Sequence, residues 1–298
     1  MKTKIFKSVV VLTMILFAFS CENDAMDGLV REDRQIVSFK LNGQVGPAII
    51  TPIGDDEGVV EIFAVMAGID LNAVLPSVEI SEKATISPNP NESANFNTNG
   101  GSFVYTITSE SGKTRKWKVN LKPFVSEIDG DWGVTSFKFD WFIGKGESWG
   151  WGENNADLTA ALSDAGLEKD NTLGLVTTLV NESGNPEGTF DFGSGADMEY
   201  ARFIVNPDHA GQVKDYSSRF RKMPIGKGVF EYNVAGKVLT LWRGNKSGIS
   251  IDGKVTKSAS GAISIAFDNW VNEFTWDHWG AESQIQNSYT IYYNFVSL

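Results

Sequence analysis

Cysteine is almost missing from this chain: among 298 residues only Cys21 carries a thiol. An internal disulfide and any Cys-rich zinc or iron–sulfur site are thereby excluded. Histidine is nearly as scarce, with only His209 and His278, which leaves little for His-rich metal or triad chemistry. Basic residues are outnumbered, 26 Lys and Arg against 37 Asp and Glu, for a formal net charge of −11. A nucleic-acid or anionic-membrane surface needs Lys/Arg clusters, so neither partner is expected. No Gly-x-Ser-x-Gly elbow, P-loop or dinucleotide fingerprint occurs, and Gly144-Lys145-Gly146 and Gly226-Lys227-Gly228 read as ordinary turns. Crossing ~30 Å of hydrocarbon takes ~20 apolar residues. The stretch from Val9 to Phe19 offers 11, interrupted by Thr13.

That short run has a different meaning. Lys2, Lys4 and Lys7 precede it and Ala18-Phe19-Ser20-Cys21 ends it, the order of a secretory leader. The last four residues resemble a bacterial lipobox. The resemblance implies cleavage before Cys21, diacylglycerol on its sulfur and acylation of the new amino terminus. Two or three acyl chains at ~0.8 kcal/mol per buried CH₂ make a stable anchor. Residues 1–20 carry three lysines and no acids, so their removal takes the charge from −11 to −14. Residues 21–33 then read as a polar, acidic tether. The run Glu22-Asn23-Asp24-Ala25-Met26-Asp27-Gly28 is similar to the acidic tract of surface-exposed lipoproteins of Bacteroidetes-type bacteria. The localisation implied is the outer membrane, lipid-anchored, facing outward, with palmitate-type acylation as the membrane contact.

From residue 34 to 123 period-two alternation dominates. Phe103, Tyr105 and Ile107 share one face; Trp117, Val119 and Leu121 point in while Lys116, Lys118 and Lys122 point out. Further strands are expected at Ile36–Leu41, Val59–Ala67 and Val78–Ile80. Turns at Asn42-Gly43, Gly54-Asp55-Asp56, Ser87-Pro88-Asn89-Pro90 and Ser111-Gly112-Lys113 separate them. Short strands over ~90 residues predict an Ig-like sandwich. The ordered motifs Ile36-Val37-Ser38-Phe39, Leu75 to Ser81, Ala84 to Pro88, Tyr105 to Gly112 and Trp117-Lys118-Val119 resemble the Ig-like or cadherin-like amino-terminal modules of Bacteroidetes-type surface lipoproteins. Such a module implies a spacer without catalytic residues, and Pro123 marks a boundary near 123–130.

What the chain does have is tryptophan: nine, of which Trp132, Trp141, Trp149, Trp151, Trp242, Trp270, Trp276 and Trp279 follow residue 130. Strands are expected around Phe137–Trp141 and at Leu173–Val180, Gly188–Phe192, Gly228–Asn233, Lys237–Trp242, Ile249–Lys257, Ala262–Phe267 and Ser288–Val296. One short helix is expected at Asp157–Ala165, with Asn155 as its cap and Gly166 its terminator. Residues 130–298 therefore read as a second antiparallel β-domain, a jelly-roll sandwich or a calycin-like barrel. The Gly130-Asp131-Trp132 start and the Gly236–Leu241 hairpin are similar to lipocalin-type lipoproteins. The whole chain is thus expected to be all-β.

Two aromatic clusters lie in expected loops. Gly146 to Glu153 holds Trp149, Trp151 and Glu153 among glycines, which weaken strands. Asp268 to Trp279 interleaves Trp270, Trp276 and Trp279 with Asp268, Asp277 and other polar residues. Indole faces stack on the apolar faces of pyranose rings while carboxylates and amides take the hydroxyls, so a polysaccharide or oligosaccharide is the expected ligand. The alternative for these Trp is a core or end-cap role. Acids near the clusters, Glu147, Glu153, Asp268, Glu273 and Asp277, leave a glycoside hydrolase as the second reading. A structural or adhesin lipoprotein, or a lipocalin-like carrier of an apolar ligand, is the third. Asn171, Asp191 and Asp197 beside Gly193 and Gly195 offer oxygens to Ca²⁺, without a D-x-D-x-D-G loop; no cofactor or metal is otherwise expected. His209 reads as a solvated turn residue, and Arg219-Phe220-Arg221-Lys222 as a solvated strand edge. The resemblance to surface lipoproteins also implies an outer-membrane transporter complex as a partner.

Overall fold

The computed structural model describes residues 30–145, 147–270 and 280–298. The leader 1–20, Cys21, most of the tether, and Trp276, Asp277 and Trp279 lie outside the described residues. Among the described residues no helix is long and apolar enough to cross a membrane. The long elements are all strands, and they divide between two hydrophobic cores.

The first core lies between two sheets. Strands β2 (Gln44–Ile53), β3 (Glu57–Ala64), β7 (Thr114–Pro123), β6 (Ser102–Thr108) and β5 (Thr85–Ser87) form one sheet in that order; β1 (Ile36–Lys40) and β4 (Ser77–Ile80) form the other. Neighbours are antiparallel except β3 and β7, which run parallel. The expected alternation sets the inner face: Tyr105, Ile107, Trp117 and Val119 are buried against Phe39, Val60 and Ile62. Trp117 spans the gap, donating its indole N–H to the Arg34 carbonyl at 3.0 Å. Its ring needs Gly58 beneath it, because a Cβ at that position would lie 2.4 Å from the ring. Strand β2 is not legible as alternation: it is largely exposed and its register shifts between Val45 and Ile49 around Gly46-Pro47.

The second core fills a barrel. Strands β8 (Gly130–Ile143), β9 (Trp151–Asp157), β10 (Thr172–Val180), β11 (Pro186–Gly193), β12 (Ile204–Val205), β13 (Lys214–Asp215), β14 (Gly226–Asn233), β15 (Val238–Arg243), β16 (Ser250–Lys257), β17 (Ile263–Asp268) and β18 (Ser288–Ser297) follow in chain order. Eight of them, β8, β10, β11 and β14 to β18, pair antiparallel with their successors, and β18 returns to β8 to close the ring. Successive pairing of this kind is an up-and-down barrel; a jelly-roll would need Greek-key crossings between two sheets. Of the two alternatives the barrel is therefore the one that forms, and the jelly-roll is not. Gly226-Lys227-Gly228 opens β14 rather than making a turn.

Eight strands enclose just enough room for side chains, and aromatic rings take it. Tyr293 sits in the middle, 4.4 Å from Phe137 and 6.0 Å from both Phe192 and Phe267 by ring centroid. Those rings occupy the space in which a carrier would hold an apolar ligand.

Strand β8 changes partner along its length. Its start, Gly130–Gly133, pairs with β10, while Lys138–Ile143 pairs with β9. Beside β8, Leu158, Leu162 and Ala165 from the segment after β9 join the barrel core. The helix there is shorter than expected, Leu158–Ala161 followed by a 3-10 turn over Ser163–Glu168, and its cap is Asp157, not Asn155. Asp157 accepts from the Thr159 N–H at 2.9 Å, whereas Asn155 belongs to β9 with φ of 58°.

The two cores are joined by residues 124–129, held at both ends. The Phe124 N–H donates to the Ala64 carbonyl, and Ile128 is buried in the barrel core. One Asp129 oxygen accepts from the Thr177 N–H and hydroxyl at 2.9 and 2.7 Å, the other from the Ser126 N–H. Tyr232 donates to the Glu127 carboxylate at 2.6 Å. Overpacking a filled core costs about 1–3 kcal/mol. Gly58→Ala is expected to lower stability by that amount, read as a fall in the urea midpoint for the module containing Trp117.

Candidate functional site

The turn between β8 and β9 is built from glycine because tryptophan covers it. A Cβ on Gly144, whose φ is +69°, would lie 2.3 Å from the Trp149 ring, and one on Gly152 would lie 2.3 Å from the Trp141 carbonyl. Gly152 is thus a point of close strand approach, and the glycine-flanked run expected as a loop becomes part strand: Trp149 lies in the turn, Trp151 and Glu153 on β9. Trp151 pairs with Ile143 and stands edge-on to buried Trp141, with centroids 4.7 Å apart. Glu153 is two residues on, so it shares that face. Trp149 is 49% exposed and Trp151 41% exposed. The Trp141 indole N–H at the base finds no acceptor among the described residues.

The second cluster begins at the end of β17. Asp268 accepts the Trp270 N–H at 3.0 Å, so one of its oxygens builds the turn that presents Trp270. Asn269, buried beside it, donates its amide to the Ser288 hydroxyl at 2.9 Å. With Asn269 held inward, Trp270 stands out, 48% exposed. Lys145, from the first cluster, places its Nζ 4.1 Å from the Trp270 ring centre, a cation–π contact worth ~0.5–1 kcal/mol at an exposed site. Trp149, Trp151, Glu153, Asp268 and Trp270 therefore share one end of the barrel. Trp276, Asp277 and Trp279 lie outside the described residues.

Polar contacts that the sequence does not reveal stiffen this end. Asp140, buried on the outer side of β8, accepts from Tyr292 at 2.5 Å and from the Asn155 N–H at 2.7 Å. Burial first, and then the Asp140 carboxylate, pushes the Tyr292 phenol up to about 12. Tyr289 donates to the Asn154 side-chain oxygen at 2.6 Å. Arg219, expected on a solvated strand edge, instead sits on the short helix Ser217–Phe220 and donates to the carbonyls of Gln286, Asn269 and Ser288. Burial lowers its pKa.

His209 occupies a turn but is not merely solvated. Its Nδ1 lies 3.1 Å from Glu282 Oε2, and Lys214 Nζ sits 3.1 Å from Glu282 Oε1 and 3.4 Å from Asp208 Oδ2. Asp208, His209 and Glu282 bring donor atoms within 4.8 Å of one another. Lys214 already lies between the two carboxylates and supplies the positive charge a metal would bring, so the trio is an ion-pair network. Of the residues offered for Ca²⁺, Asp197 accepts the Glu199 N–H, while Asn171 donates its amide to Glu168 and its buried side-chain oxygen has no partner among the described residues.

Comparison with known proteins bears on the other module. Residues 36–121 match the family model "SGBP, N-terminal", that of surface glycan-binding proteins. The match stops short of the barrel. No curated protein matches the chain. Among solved structures, a provisionally named secreted protein from Bacteroides fragilis is 14% identical, covering 32% of this chain and 98% of its own, at a TM-score of 0.22. A provisionally named glycoside hydrolase from Bacteroides thetaiotaomicron is 12% identical over 90% of this chain and 91% of its own, at 0.26. A DUF4623 family protein from Bacteroides eggerthii is 8% identical over 80% and 78%, at 0.22.

Glu282 opens the short helix Ala281–Gln286. Burial pushes its pKa up, but hydrogen bonds from His209 and the Lys214 ammonium outweigh that and hold it below the ordinary carboxylate range. A carboxyl depressed on folding stabilises above its unfolded pKa, ~4.3, and loses that contribution as pH falls through the folded value. Glu282→Gln is therefore expected to lower Tm at pH 7, with the deficit shrinking below about pH 4 in a thermal melt series.

Proposed function

We propose that this chain is a lipid-anchored, surface-exposed, non-catalytic glycan-binding protein of the outer membrane. In this reading residues 1–20 are a leader, Cys21 is acylated and residues 21–33 are a tether. Residues 34–123 are an Ig-like spacer, and residues 130–298 carry the binding site. An outer-membrane transporter complex is the proposed receiver of the glycan. The observation that carries the reading is the convergence of Trp149, Trp151 and Trp270, each about half exposed, on one barrel end. Large exposed rings gathered in one place are unusual on a soluble surface and mark interaction sites. A flat indole offers dispersion to the C–H face of a sugar ring. Glu153 on the Trp151 face, the second oxygen of Asp268, and Asp277 are proposed as hydroxyl partners, with Trp276 and Trp279 as further platforms. The match of residues 36–121 to the surface glycan-binding family supports the same class of ligand independently of the barrel.

Titration of a panel of plant and host polysaccharides onto the full chain by calorimetry tests the site. Trp149→Ala/Trp151→Ala and Trp270→Ala are each expected to weaken binding about tenfold, which is ~1.4 kcal/mol. Unchanged affinity in both variants would discard the rim. Anchoring is checked separately: Cys21→Ser is expected to abolish incorporation of labelled palmitate and to release the protein from the membrane fraction.

A further inference from the structure

The same barrel end holds a second feature, a cleft of about 320 Å³ between residues 221–225 and the β15–β16 hairpin. Arg221, Lys222 and Arg243 give it charge, and Pro224, Ile225 and Ile249 give it an apolar surface. The strand ends fix its position. Arg243 ends β15 and Ser250 begins β16, at the end of the barrel where β17 finishes in Asp268. Lys222 feels the Asp268 carboxylate, and Asp268 shapes the Trp270 turn.

The charges in this cleft differ in how they are satisfied. Arg219, next door, is spent on three carbonyls. Arg221 donates to the Ala201 carbonyl, lies over the Phe203 ring and feels the Glu168 and Asp215 carboxylates. The Lys222 ammonium and the Arg243 guanidinium have no side-chain hydrogen bond or ion pair among the described residues. Burial and the Arg219 charge lower the Lys222 pKa against the opposing pull of Asp268, so the ammonium is desolvated and under-neutralised. An arriving anion would relieve that. The chain's overall charge of −11 does not forbid it, because the Debye length is ~8 Å at physiological salt and the local cations dominate inside it.

We propose that the barrel end selects anionic glycans, with Lys222 and Arg243 binding a carboxylate or sulfate group while the sugar's apolar face lies on the Pro224–Ile249 surface. This inference rests on the glycan-binding reading and specifies its substrate class. A guanidinium fits a planar carboxylate or a sulfate through paired N–H donors, and an ammonium adds a compact charge.

The experiment is calorimetry on the full chain with four polymers: polygalacturonate, its fully methyl-esterified form, kappa-carrageenan and neutral mixed-linkage glucan. Polygalacturonate or carrageenan is expected to bind at least tenfold more tightly than the esterified or neutral polymers, and whichever wins identifies carboxylate or sulfate as the anion. Lys222→Gln/Arg243→Gln is expected to remove that preference at an unchanged Tm. Lys237→Gln/Lys254→Gln, around the β14–β15 hairpin at the other end of the barrel, is expected to keep it. Equal affinity for the acid and ester forms, retention of preference in the Lys222/Arg243 variant, or an equal loss in the Lys237/Lys254 variant would each overturn the inference. If the neutral glucan then still binds through Trp149 and Trp151, the broader reading stands alone. If no polymer of the panel binds, both fall.

Discussion

Strand β8 has three partners and the molecule is organised by how it shares them. Fourteen residues long, it gives one edge to β18 and divides the other between β10 and β9. The lower half completes the ring of backbone hydrogen bonds and so leaves no open edge there. The upper half turns away to carry a hairpin beyond the ring, and this is what lifts Trp149, Trp151 and Glu153 clear of the packed interior. The aromatic interior and the aromatic rim are consecutive stretches of one strand and its hairpin: Phe137, Phe139 and Trp141 point in, and Trp149 and Trp151 follow within ten residues.

The irregular chain around the rim is held by buried hydrogen bonds to charged groups. Such bonds contribute about 1.5–3 kcal/mol each, against ~0–1 kcal/mol for an exposed ion pair. Arg219 closes three orphan carbonyls at once, and Glu282 gathers Lys214, His209 and Tyr216 on its two oxygens. Segments distant in sequence, near residues 208–221 and 269–288, are fastened together this way without regular secondary structure. The contacts around Lys122, Lys113 and Lys246 belong to the weaker class.

Much of the strand content was legible because alternation is a local property. Phe103 to Ile107, Trp117 to Leu121 and the seven strands from Leu173 onward show it. Closure was not, since nothing local to Ser288–Ser297 states that it pairs with Gly130–Ile143 more than 130 residues away; jelly-roll and barrel share the same strands. The candidate rim was half legible. Its rings stood out by composition, yet Gly152 read as a strand breaker when it marks a close approach that only glycine permits. Arg219 was misread, and the Glu282 partner of exposed His209 was missed, for a common reason. Short polar runs look solvated until the fold brings carbonyls or a carboxylate from far along the chain to meet them. The paired wall of Lys222 and Arg243 was invisible for the same reason.

The six residues between the modules have a mechanical consequence. Strand β7 runs directly into them, Phe124 is bonded back to Ala64 at the end of β3, and Asp129 and Ile128 are locked into the barrel. A force drawing the barrel away from residues 30–34 would therefore travel along the axis of β7, which is paired on both edges, parallel to β3 and antiparallel to β6. In that geometry the ladder is sheared, and its hydrogen bonds resist together instead of opening one after another. The first module is arranged to resist extension along that axis.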